Sequence, residues 1–154
     1  MWQRIQTVFL AITIMALIAA VFLPIWIYED VTGKKHELYA LHYSVTDNGV
    51  KTSTYLPYSL TAMLIVAAAT LAWIEITKYR DRMMQIKLGA LNSVILAAAL
   101  GCGVYFASDL VKTFQGGIYG LGLWLPGISV VFNWLAMRFI RRDEKLVRDS
   151  NRLR

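Results

Sequence analysis

Two asparagines stand inside otherwise apolar stretches of this sequence, and their depth is the first chemical clue. Asn92 follows Lys87 by five residues and Asn133 precedes Arg138 by five. At about 1.5 Å of helix rise per residue, each lies roughly 7 to 8 Å inside a charged boundary. An unpaired amide at that depth in hydrocarbon costs kilocalories, so both side chains are expected to point inward, at one level, within direct or one-water reach. Gln6 and Thr7 near the start of the chain, and Glu75 at the end of another apolar run, are placed to join them in a polar layer. Such a layer either holds helices together, at about 0.6 to 2 kcal/mol per bond, or binds a small molecule or lipid head group.

Other chemistry finds little support. None of the apolar cores contains Asp, Glu, Lys, Arg or His, the groups on which membrane enzymes and proton-coupled carriers depend. His36 and His42 fall together in the long polar connection, which leaves haem between helices without axial ligands. Their spacing of six matches no recognised zinc motif, and they are expected on one exposed strand face. Gly120 and Gly122 lack the third glycine and the preceding strand of a nucleotide loop, so close helix packing is their expected role. Ser59, Ser93 and Ser129 have no histidine or lysine base within their runs. A lone cysteine, Cys102, excludes an intrachain disulfide and dithiol chemistry. No catalytic constellation, metal or cofactor is expected.

The elements that must position the polar layer are transmembrane helices. At 57% apolar over 154 residues, the chain exceeds the roughly 45 to 50% of soluble domains. Four uncharged runs, 5–27, 56–74, 88–108 and 118–137, approach or exceed the roughly 20 residues that cross a bilayer core. The first is too long for a signal-peptide core and reads as an uncleaved span with its exit near Pro24. Pro57 suits the first turn of the second. In the third, Gly89, Ser93, Ala97 and Gly101 recur at every fourth position, which predicts a face of small residues and a central place in the bundle. Loop 28–55 carries alternating Tyr39, Leu41, Tyr43 and Val45, a turn at Asp47-Asn48-Gly49 and then Val50, Thr52 and Thr54, which predicts a β-hairpin.

The net charge of +6 follows topology rather than nucleic acid. With both termini inside, Arg4, Lys78, Arg80, Arg82, Lys87 and seven cations of tail 138–154 make twelve inside, against four outside, Lys34, Lys35, Lys51 and Lys112. Trp26, Tyr28, Tyr55, Tyr58, Tyr105 and Tyr119 are expected in an outer aromatic belt, and Trp2, Trp73, Tyr79 and Trp134 in an inner one. The tail carries Arg141, Arg142, Lys145, Arg148, Arg152 and Arg154, with Phe139, Leu146 and Leu153 at heptad spacing. It is expected to be helical, lying on an anionic leaflet at about 1 kcal/mol per net cation or docking a partner.

WQRIQT at Trp2 to Thr7, RMMQIKLGALN at Arg82 to Asn92, YGLGLWLP at Tyr119 to Pro126, NWLA at Asn133 to Ala136 and DEKLVR at Asp143 to Arg148 together resemble the family known as Domain of Unknown Function 4293. The likeness runs along the whole chain in order and departs from the family pattern at Asn151. It implies a small four-span inner-membrane protein of Bacteroidota, and no activity.

These readings give an all-α membrane protein, a four-helix antiparallel transmembrane bundle with a small extracytoplasmic β-hairpin between the first and second helices. The chain is expected to be a single domain in a bacterial inner membrane, both termini cytoplasmic. Without intramembrane ionisable groups, the expected role is a non-catalytic subunit, scaffold or assembly partner of a membrane complex, in contact with the lipid bilayer and with a partner protein or a second copy of itself. The alternative is a small-molecule or lipid-binding, transport-related protein that uses Asn92, Asn133, Gln6 and Glu75.

Overall fold

A computed structural model describes the backbone of residues 2–79 and 81–152, with side chains described within 5–79 and 81–148. The elements run α1 (Trp2–Phe22), β1 (Trp26–Glu29), β2 (Lys35–Leu38), β3 (Tyr43–Asp47), β4 (Val50–Thr54), α2 (Ser59–Thr77), α3 (Arg82–Phe114), β5 (Ile118–Tyr119) and α4 (Leu121–Arg152). Each helix holds a stretch long and apolar enough to cross a membrane, and only 28 to 33% of each stretch is buried. The remaining surface carries exposed Met15, Phe22, Met63, Val66, Val94 and Val131, the kind of face that lipid rather than water covers.

The helices pack α1 on α2, α2 on α3, α3 on α4 and α4 on α1. This is a closed ring, so α3 is one of four equal walls and not the central helix. The expected small-residue face also differs. A spacing of four advances a helix by about 400° at 3.6 residues per turn, so the row drifts about 40° at each step. Gly89 is buried, whereas Ala97 and Gly101 have turned to the surface. The face that does pack is Gln85, Gly89, Asn92, Leu96, Ala99, Gly103, Ala107 and Leu110, which mixes steps of three and four and so stays in line.

Beyond α1 the apolar run continues to Ile27, but the helix does not. Leu23 precedes Pro24, a position biased away from the α region, and the β-favouring Trp26-Ile27-Tyr28 that follows enters a strand. A single hairpin was expected; the sheet has five antiparallel strands in the order β4-β3-β2-β1-β5. The β3–β4 pair turns at Asn48 and Gly49, with φ of 48° and 83°, the two positive values that a tight twisted hairpin needs. Tyr39 and Leu41, expected in its first strand, instead lie in the reversal from β2 to β3, where Tyr39 N–H donates to the His42 carbonyl at 2.9 Å. Ile118 and Tyr119, expected in the fourth span, pair as β5 with Ile27 and Trp26. The sheet therefore joins both connections at one end of the bundle, where α1 and α3 finish and α2 and α4 begin.

One face of the sheet seals that end. Trp26, expected in an aromatic belt, is fully buried and lies 5.9 Å from both the Tyr28 and Phe114 rings. Tyr55, Tyr105, Trp73, Tyr79 and Trp134 are exposed. At the opposite end α3 and α4 outrun their apolar cores. Asp81 caps α3 by accepting from Met84 N–H at 2.9 Å, and the Arg82 guanidinium meets the Asp143 carboxylate at 3.1 Å, fixing the start of the tail as a continuation of α4.

Candidate functional site

Near the tail end, all four helices contribute polar groups to the interior, and two neighbouring clusters result. The first is built on α3 and α4. Asn92 and Asn133 are both fully buried, and Asn92 Nδ2 donates to Asn133 Oδ1 at 3.3 Å. Asn133 Nδ2 donates in turn to the Gly89 carbonyl at 3.0 Å and to Ser93 Oγ at 2.9 Å. Asn133 is thus satisfied at both ends of its amide, and a hydrogen-bonded knot ties the two helices.

The second cluster is of another kind. The second apolar run ends at Ile74, so its length alone leaves open how deep Glu75 lies. In the structure α2 continues to Thr77 and carries Glu75 to 0% exposure, with neither carboxylate oxygen accepting a hydrogen bond. Gln85 of α3 donates from Nε2 to the Glu75 backbone carbonyl at 2.8 Å, and toward the same end Gln6 of α1 is buried with Nε2 unpartnered. Gly89 leaves the carboxylate its room: a β-carbon there would stand 3.0 Å from Glu75 Oε1 and 2.6 Å from Met137 Cγ. Asn92 Oδ1, one turn beyond Gly89, is also buried without a partner. An enclosed carboxylate with no cation and no donor is costly. Among the described residues nothing repays that cost.

Of the expected layer, Thr7 stands apart: it lies on the exposed side of α1. Gln85 was not singled out from sequence, although its place four residues before Gly89 and seven before Asn92 marks it as part of the same inward face. In the tail, Arg141, Arg142, Lys145 and Arg148 lie on exposed surface of α4. The side chains of Arg4 and Arg152, with Arg80, Leu153 and Arg154, lie outside the described residues.

The histidines do not share a strand face. His36 is in β2, its Nδ1 2.6 Å from the Tyr43 hydroxyl and its ring 4.5 Å from that of Phe114. His42 is in the reversal, stacked 5.0 Å from Tyr39. Burial, followed by the neighbouring Tyr58, pushes Tyr43 up to about 12, and burial together with Lys51 lowers His42. Gly120 and Gly122 are where α4 meets the end of α1, donating to the carbonyls of Ile25 at 2.9 Å and Pro24 at 3.0 Å.

The family model described as Domain of unknown function (DUF4293) matches residues 2–153, essentially the whole chain. No curated protein matches it.

Proposed function

We propose that this chain, which belongs to the DUF4293 family, is a small-ligand-binding, transport-related membrane protein that works through the polar layer near the tail end of its bundle. The observation that carries this reading is Glu75, an ionisable side chain enclosed among helices with both oxygens unpartnered. Ionisable groups within spans are costly and mark ligand or ion pathways by default. The expectation of a non-catalytic scaffold drew on the lack of such groups, and Glu75 removes that ground. Affinity purification from native membranes tests the choice. The chain should be recovered with a retained non-protein ligand; a stoichiometric protein partner without one would restore the scaffold.

The location that goes with this role is a bacterial inner membrane with both termini cytoplasmic and the sheet outside. Support comes from the twelve-to-four distribution of cations, which puts the polar layer near the cytoplasmic face. A cysteine introduced at Lys51, on exposed β4, should react with an impermeant maleimide added to intact spheroplasts. Protection at Lys51 until the membrane is opened would reverse the topology.

A further inference from the structure

We infer that Glu75 is a proton-binding site, a carboxyl enclosed by the four helices that takes up and releases one proton at the tail end of the bundle. This rests on the reading of the polar layer as a ligand site and names the ligand. Its first support is the charge around the carboxyl. α3 presents Gln85 and Gly89 and α4 presents Met137, all neutral, the buried Gln6 of α1 is neutral too, and no charged side chain among the described residues acts on Glu75. Among the described cations toward this end, Lys78 and Arg138 are exposed and Arg82 is held by Asp143. A bare carboxylate in such a place costs several kilocalories, so a positive charge must accompany it.

The second support is the inventory of open hydrogen-bonding atoms. Glu75 Oε1, Glu75 Oε2 and Asn92 Oδ1 are acceptors without a donor, and among these buried atoms only Gln6 Nε2 is a donor without an acceptor. None of the amide hydrogens of the layer reaches the carboxylate, whose two oxygens are left without a hydrogen. A proton on Glu75 supplies one and cancels the charge in the same step, passing from water to a carboxylate oxygen and back. Larger cations fit poorly. Calcium takes 6 to 8 oxygens and magnesium a near-ideal octahedron, whereas three open oxygens are present, and no group of three or more His, Cys, Asp or Glu stands together among the described residues. An organic ammonium has no room where even a β-carbon on Gly89 would crowd Met137 and Glu75.

The third support is access. Only three residues, about 4.5 Å of helix rise, separate Glu75 from exposed Lys78. On the α3 side a single side-chain hydrogen bond, from Gln85 to the Glu75 carbonyl, joins the two helices there, so a small local opening rather than a rearranged bundle is enough for a proton.

Dicyclohexylcarbodiimide, an apolar reagent that adds to protonated carboxyls in apolar sites, provides the test on the full-length protein in detergent, with the adduct located by peptide mass mapping. Glu75 should be modified in the wild type, unmodified in Glu75→Gln and modified again in Glu75→Asp. The rate should fall about tenfold per pH unit once the group titrates, and should be unchanged when sodium chloride replaces choline chloride at constant ionic strength. Modification at other acids but not at Glu75 would overturn the proposal, as would protection by sodium, which would make the occupant an alkali ion. A chain that is modified at Glu75 yet purifies with a stoichiometric protein keeps this site and loses the small-ligand reading; one that retains a ligand but is not modified does the reverse.

Discussion

Gly120→Ala should cost the protein much of its folded state, by about 3 kcal/mol or more. A β-carbon at Gly120 would overlap the Pro24 carbonyl oxygen, and one at Gly122 would overlap that of Leu23. Overpacking against side chains costs about 1 to 3 kcal/mol because they can shift. Here the obstacle is backbone, held by the Gly120 and Gly122 hydrogen bonds to Ile25 and Pro24 and by the pairing of Trp26 with Tyr119 and Ile27 with Ile118. The α1–α4 contact and the attachment of β5 would be lost together. Gly127, in α4 with nothing within 4 Å of a β-carbon, is the control: Gly127→Ala should unfold at or above the wild-type midpoint, as alanine favours helix over glycine by about 1 kcal/mol. The yield of monodisperse protein and the thermal midpoint in detergent measure both. Equal midpoints for the two variants would mean that α4 does not approach α1 as described.

Much of this architecture is legible in the sequence, and the places where it is not share a cause. Length and charge locate four spans, but an uncharged run does not say where a helix stops. Trp26-Ile27 and Ile118-Tyr119 lie in uncharged runs like any span, yet they pair with one another across the sheet, a tertiary choice that periodicity cannot distinguish from helix. The same ambiguity works in reverse at Glu75. A charge at the end of an apolar run reads as the water boundary, but α2 extends one more turn and the ring of helices closes over the carboxyl. Asn92 and Asn133 were legible because their depth could be counted from Lys87 and Arg138. Gln85, so near the charged start of α3, reads as a surface residue until the inward row 85, 89, 92, 96 is drawn. Gly101 shows the opposite error, since a spacing of four looks like one face over two turns and leaves it over three.

The account divides the polar layer into a knot that holds the bundle and an acid that does not, and one comparison of unfolding free energies in detergent tests that division most directly. Asn133→Leu removes the bonds to Asn92, Gly89 and Ser93 and strands the Asn92 amide in the interior, while the Gly89 carbonyl keeps its bond from the Ser93 hydroxyl. Interhelical bonds average about 0.6 and reach about 1.7 kcal/mol, and leaving partners unpaired adds to the loss. The expected cost is about 2 kcal/mol. Glu75→Leu keeps the volume and removes two oxygens that bond to nothing, so its stability should equal or exceed that of the wild type, the mark of a residue kept for function at the expense of stability. A Glu75→Leu protein as weakened as Asn133→Leu would show that the carboxyl is structural, and would contradict the account.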